Sequence, residues 1–255
     1  MIPKIIFREM TLEENINLIK WEYFEKDGPL NIHSLVIKYF PELSHIDEKL
    51  SKEEIYNIIE NVVKEKYNKM KDKLKKEVQR YNSIWNKYND AYFKTLSKYL
   101  NVKWPGNHTI IDAQIGLTPV FPRYLNSFGF SLAIGIEEKE VIRTSAHETL
   151  HFLWFEKWKE LYPECPRIEY DSPYITWQYS EMVTDPILNS KEIKKVININ
   201  ERAYRSFYDI KDGNDYMMDN LKDIYNSNLT IEEKITKGFE YIKTVLEKGN
   251  INKKR

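Results

Sequence analysis

The sequence predicts an α+β fold, mostly α-helical, with a small antiparallel sheet placed immediately before one central helix. Three observations carry that prediction. From Ile55 to Tyr99 apolar and aromatic residues recur every three to five positions without Gly or Pro, which is a helical period. At Trp104-Pro105-Gly106-Asn107 the composition breaks, and two β-prone runs follow: Thr109-Ile110-Ile111 leading toward Ile115, and Phe130–Ile136. Next comes a stretch from Glu137 to Leu161 that is apolar nearly all round, as a helix buried on every side must be.

Taken in order, Thr11-x-x-Glu14 is a capping box that opens a short helix with Leu12, Ile16, Ile19 and Phe24 on one face. Asp27-Gly28-Pro29 ends it, and a second short helix is expected from about Asn31 to Tyr39, stopped before Pro41. Ser51-x-x-Glu54 caps the long periodic stretch, which reads as one very long helix or as an antiparallel pair broken near Asn82-Ser83. Its lysine-rich face is interleaved with acids and reads as a solvated helix surface. The two prolines in Thr118–Tyr124 make that segment a loop or an edge strand. Beyond the central helix, a Pro-rich loop runs from Tyr162 to Pro173. Helices are expected over Trp177–Leu188, 192–208 and 214–226, and a last one is capped by Thr230-x-x-Glu233 and ended by Gly249. The expected domain division is a helical region over 1–103 and a core over 104–255.

Lys and Arg number 39, and Asp and Glu also 39, so the net charge is zero, which argues against nucleic acid or an acidic membrane surface as the main partner. The single cysteine, Cys165, leaves no intramolecular disulfide and no Cys-rich metal site. No apolar run reaches the roughly 18 residues of a membrane span. Met1–Glu9 carries charge too early for a secretory hydrophobic region. A soluble, cytoplasmic chain is expected.

Chemistry concentrates in Ser145-Ala146-His147-Glu148-Thr149-Leu150-His151. Four residues make about one helical turn, so the imidazoles of His147 and His151 share a face and can hold one Zn²⁺, with Glu148 beside them. A catalytic zinc needs a third protein ligand and an open position for water. No histidine follows His151, and His33, His45 and His108 lie upstream in segments with no shared helical spacing, so carboxylates remain. Glu164, Glu169 and Asp171 in the following loop are possible. Glu181 is preferred, because it lies on another helix with Asp185 one turn further on.

His147-Glu148-x-x-His151 followed by Glu181-x-x-x-Asp185 resembles the gluzincins, the thermolysin-like metallopeptidases, over about 60 residues from Phe130 to Leu188. The resemblance implies a zincin-like core and peptide or protein substrates. It implies a Zn²⁺ held by His147, His151 and Glu181, and an Asp185 that hydrogen-bonds His147 from outside and so fixes its tautomer. It also implies that Glu148 is the general base toward a metal-activated water. Tyr170, Tyr174, Tyr204, Arg205 and Tyr208 are candidates to steady the tetrahedral intermediate. Two other readings stand beside it: a helical interaction protein with a structural or vestigial zinc site, and a zinc hydrolase of a non-peptide amide.

Overall fold

The computed structural model describes residues 2–26, 31–47 and 49–253, with side chains described as far as Glu247. The fold is mixed α/β and mostly helical. It divides into two compact units that alternate along the chain. A sheet unit is formed by Lys4–Lys87 and Ile110–Val141, and a helical unit by Tyr88–Thr109 and the chain from Ile142 onward.

In the sheet unit, β1 (Lys4–Glu9), β2 (Ile110–Gly116), β3 (Arg123–Tyr124) and β4 (Gly129–Ala133) stand in the order β1-β2-β4-β3. The pairs β1/β2 and β2/β4 are parallel, and only the two-residue edge strand β3 is antiparallel. This corrects the expected antiparallel sheet in two respects. The first strand lies at the very start of the chain, where a helical region was expected. Its crossover to β2 is then the whole helical segment between them, and a parallel pair needs such a long connection. β1 alternates buried Ile5 and Phe7 with exposed Lys4 and Ile6, the period-2 pattern of a half-covered strand.

Four stretches of that crossover lie in the sheet unit. They are α1 (Leu12–Phe24), α2 (Ile32–Tyr39), a 3-10 turn at Pro41–His45 and α3 (Lys52–Asn86). Both capping boxes form as expected, with Thr11 and Ser51 each accepting from the backbone of the glutamate three residues on. Asp27-Gly28-Pro29 lies outside the described residues. Of the two readings of this stretch, one long helix or a pair broken near Asn82-Ser83, neither holds as stated: α3 runs unbroken through Asn82 to Asn86, and α4 (Asn89–Tyr99) begins after Lys87-Tyr88, where one unit gives way to the other. Asn82 does not interrupt the helix because its amide is used elsewhere. It accepts from Phe7 N at 3.1 Å and donates to Phe7 O at 2.9 Å, which fastens α3 to β1. Phe7 also meets the ring of Tyr81 edge-on at 5.8 Å.

In the helical unit, α5 (Glu138–Leu161) spans the predicted stretch, its first residues belonging to the sheet unit. The expected helix Trp177–Leu188 is two short ones, α6 (Ile175–Met182) and α7 (Thr184–Leu188), joined through Val183. The expected helix over 192–208 shrinks to α8 (Lys191–Lys194) and α9 (Arg205–Tyr208). Between them Ile197, Ile199 and Glu201 are buried while Asn198 and Asn200 are exposed, an alternation that extended chain satisfies and a helix does not. A hairpin of β5 (Lys211–Asp212) and β6 (Asp215–Tyr216), turning at Gly213 with φ +65°, precedes α10 (Met217–Asn226). The last helix, α11 (Ile231–Lys253), starts at the Thr230 cap as expected but runs past Gly249. Among the described residues no helix is long and apolar enough to cross a membrane.

A cluster of rings locks α5 to α6. Trp154 stacks on Trp158 at 5.0 Å and meets Tyr179 of α6 at 5.6 Å, and Phe239 of α11 closes on Trp158 at 4.8 Å. Tyr179 Oη is 3.0 Å from both Tyr225 Oη and the Ile235 carbonyl. Each such aromatic pair contributes on the order of 1 kcal/mol beyond its buried area. The relative placement of α5 and α6 is therefore set two to three residues away from His151 and Glu181.

Candidate metal centre

Ring packing at α5 and α6 brings together the three residues that sequence spacing singled out. His147 Nε2 lies 3.4 Å from Glu181 Oε2, and His151 Nε2 lies 3.5 Å from Glu181 Oε1. The two Nε2 atoms are 3.1 Å apart. Among the described residues, His147, His151 and Glu181 form the group of donors able to hold one metal ion, all within 4.8 Å of one another. A tetrahedral Zn²⁺ with ligand bonds of about 2.0–2.1 Å places its donors about 3.4 Å apart; each Nε2 faces one oxygen of the carboxylate at close to that separation, and the donors draw in by about an ångström at most to close on one ion.

The surroundings are dry on one side. The His151 side chain is fully buried and Glu181 nearly so, while the His147 side chain keeps 16% of its exposure. His151 stacks toward Phe155 at 6.4 Å, and Phe155 stacks on Tyr170 at 4.4 Å. Tyr170 comes from a 3-10 turn (Arg167–Tyr170) within the Pro-rich loop, so that loop lays a ring over the one beside His151. Glu148 is also buried, and its charge acts on His147.

The carboxylate at the outer nitrogen of His147 is Glu201. Its Oε1 is 3.2 Å from His147 Nδ1, and Arg143 Nη1 approaches both Glu201 oxygens at 3.2 and 3.3 Å. The Glu201 side chain has no exposure. Asn189 holds its backbone in place, donating to the Glu201 carbonyl at 2.8 Å and accepting from its N–H at 3.2 Å. Burial pulls the His147 pKa down, but hydrogen bonds to Glu181 and Glu201 outweigh it and hold the ring up at about 10.

Asp185 stands elsewhere. It accepts from Tyr208 Oη, from Asn189 Nδ2 at 2.7 Å and from Lys222 Nζ at 3.0 Å. The contact that the resemblance assigns to Asp185 is made here by Glu201, because α7 follows the Val183 turn and aims Asp185 toward α9 and α10. Of the five candidates for steadying an intermediate, Tyr208 is bound to Asp185, with burial and that bond pushing its hydroxyl up to about 12. Tyr170 is buried against Phe155, Tyr174 is exposed, Tyr204 packs on Trp177 and Phe207, and Arg205 is exposed. Sequence reasoning passed over Arg143 and Glu201. Arg143 had a readable signal, being one turn before His147 on the same helix face. Glu201 had only its place in a period-2 run.

No protein-family model, curated protein or solved structure matches this chain.

Proposed function

We propose that this protein is a zinc-dependent peptidase of the gluzincin type, with His147, His151 and Glu181 as the metal ligands and Glu148 as the general base. The observation that carries the reading is that two imidazole Nε2 atoms 3.1 Å apart each face an oxygen of the buried Glu181 carboxylate, at 3.4 and 3.5 Å, so that one donor atom from each residue lies within 4.8 Å of the others. Among the described residues the group offers three donors and not four, which supports a catalytic ion over a structural one, since a catalytic site keeps a position for water. Bound there, Zn²⁺ would supply Lewis acidity toward a carbonyl and an acidified water. The chain's own part is then plain. Glu181 and the two imidazoles bind, and Glu201, steadied by Arg143, keeps Nε2 of His147 aimed inward by holding Nδ1. Glu148 takes the proton of the attacking water and returns it to the leaving amine.

Purified protein equilibrated with zinc and freed of excess is expected to hold about one Zn²⁺ per chain and to melt at a higher temperature than the chelated protein. His151→Ala should hold none and show no such rise, read by elemental analysis and calorimetry. Full zinc retention in that variant would overturn the ligand assignment. Spectroscopy of the cobalt-substituted protein showing a fourth protein ligand would instead favour a structural site.

The exchange of roles between Asp185 and Glu201 is separately testable. Glu201→Gln keeps the shape and removes the charge, and should weaken zinc binding about 10- to 100-fold in competition with a chromogenic chelator. Asp185→Asn should change it far less. The reverse order would return the His147 contact to Asp185.

A further inference from the structure

We propose that a hollow of about 790 Å³ in the helical unit, walled by α4, α8, α10 and α11, binds a small polyphosphorylated ligand. It is lined by Lys94, Lys98, Lys191, Lys195 and Lys234, against the single carboxylate of Glu192. In a chain with equal numbers of acids and bases, that excess is local and not compositional. Some lysines elsewhere are paired, Lys69 with Glu65, Lys159 with Glu156, and Lys157 with both Glu160 and Glu232. Among the described residues, none of the five lysine side chains around the hollow makes a hydrogen bond or an ion pair.

Lys94 and Lys98 are one turn apart on α4, and Lys191 and Lys195 are four apart at α8, so each pair sets like charges side by side. Such pairs destabilise a helix slightly. An anion between them would turn that repulsion into attraction.

The lining also selects among anions. No arginine is present, so the planar two-pronged geometry that suits a carboxylate is missing, whereas lysine ammonium groups act as point charges suited to phosphate oxygens. Ser190, Asn226 and Ser227 add neutral hydrogen-bonding groups. The volume falls within the roughly 300–1,000 Å³ of small-molecule sites. These observations are independent of the metal centre.

Isothermal titration of the full chain with tripolyphosphate, orthophosphate, citrate and a short single-stranded RNA tests the proposal. Tripolyphosphate should bind saturably, more tightly than orthophosphate or citrate, and more weakly as salt is raised. The double variant Lys98→Glu/Lys195→Glu should weaken it about 100-fold, roughly tenfold for each ammonium group removed. Lys64→Glu/Lys71→Glu, on the exposed face of α3, should leave it unchanged. All four positions are exposed, so folding should persist, which circular dichroism checks. Absence of saturable binding overturns the site, as does binding that the Lys98/Lys195 variant leaves intact, the result expected if the anion goes to a bound zinc. Equal affinity for citrate overturns the phosphate class. RNA that binds more tightly and displaces tripolyphosphate makes the surface a nucleic-acid face and overturns the small-ligand reading.

Discussion

Glu148→Gln is expected to keep its zinc and to lose peptide hydrolysis by about 10²- to 10⁴-fold, the range that a positioned general base contributes. The carboxamide matches the carboxylate in size, and Glu148 sits in a buried position where shape matters. What it loses is the ability to take a proton. A variant with wild-type turnover on a fluorogenic peptide library would sink the proposed role. A variant that lost its zinc would move Glu148 into the metal shell, since its charge already acts on His147 from the adjacent position. The two readouts separate the metal reading from the reading of activity. Zinc retained with hydrolysis lost supports both, whereas a wild-type protein that binds zinc and cleaves no peptide leaves the metal centre standing without the peptidase.

The parts of the site legible in the sequence were those that local spacing encodes. Four residues on a helix put His147 and His151 on one face, and the structure sets their Nε2 atoms 3.1 Å apart. Glu181 was found by elimination, because no later histidine exists and a carboxylate on another helix was the remaining donor type. Glu201 was not legible, because nothing near it in sequence marks it. It reaches His147 over 54 residues from an irregular segment whose course depends on Asn189 and on buried Ile197 and Ile199. Asp185 shows the converse. Its spacing from Glu181 is right for one continuous helix, but the Val183 turn redirects it toward Tyr208 and Lys222.

The fold follows the same rule. Capping boxes at Thr11, Ser51 and Thr230 are complete within four residues and appear where expected. Strand direction is not local. Whether β1 and β2 run parallel depends on a partner that Lys4 meets at Ile110, across the whole helical crossover. The ambiguity at Asn82 was likewise resolved by β1, which uses that side chain as a hydrogen-bonding partner for Phe7. Competing uses of one polar side chain, as breaker or as tertiary clamp, look identical in sequence.

A second large effect concerns stability. Glu22 on α1 is fully buried in the sheet unit, and neither carboxyl oxygen has a hydrogen-bond partner at normal distance. Burial pushes its pKa up to about 8, with slight relief from the Thr118 hydroxyl. Below about pH 4.5 the group is neutral in both the folded and the unfolded chain. Between about 4.5 and 8 the unfolded chain gives up the proton and the folded chain keeps it, so stability falls as pH rises, and above about 8 the loss is complete. The full span is on the order of 3–5 kcal/mol, a large part of an ordinary domain's stability. Glu22→Gln mimics the protonated side chain and cannot ionise. It should therefore match the wild type near pH 4 and exceed it increasingly up to pH 8, measured as urea midpoints across that range. A constant difference between the two proteins at every pH would show that Glu22 ionises freely in the folded state. Dependence on pH that persists in both proteins would place the titrating group elsewhere, because the Gln variant removes only this carboxyl.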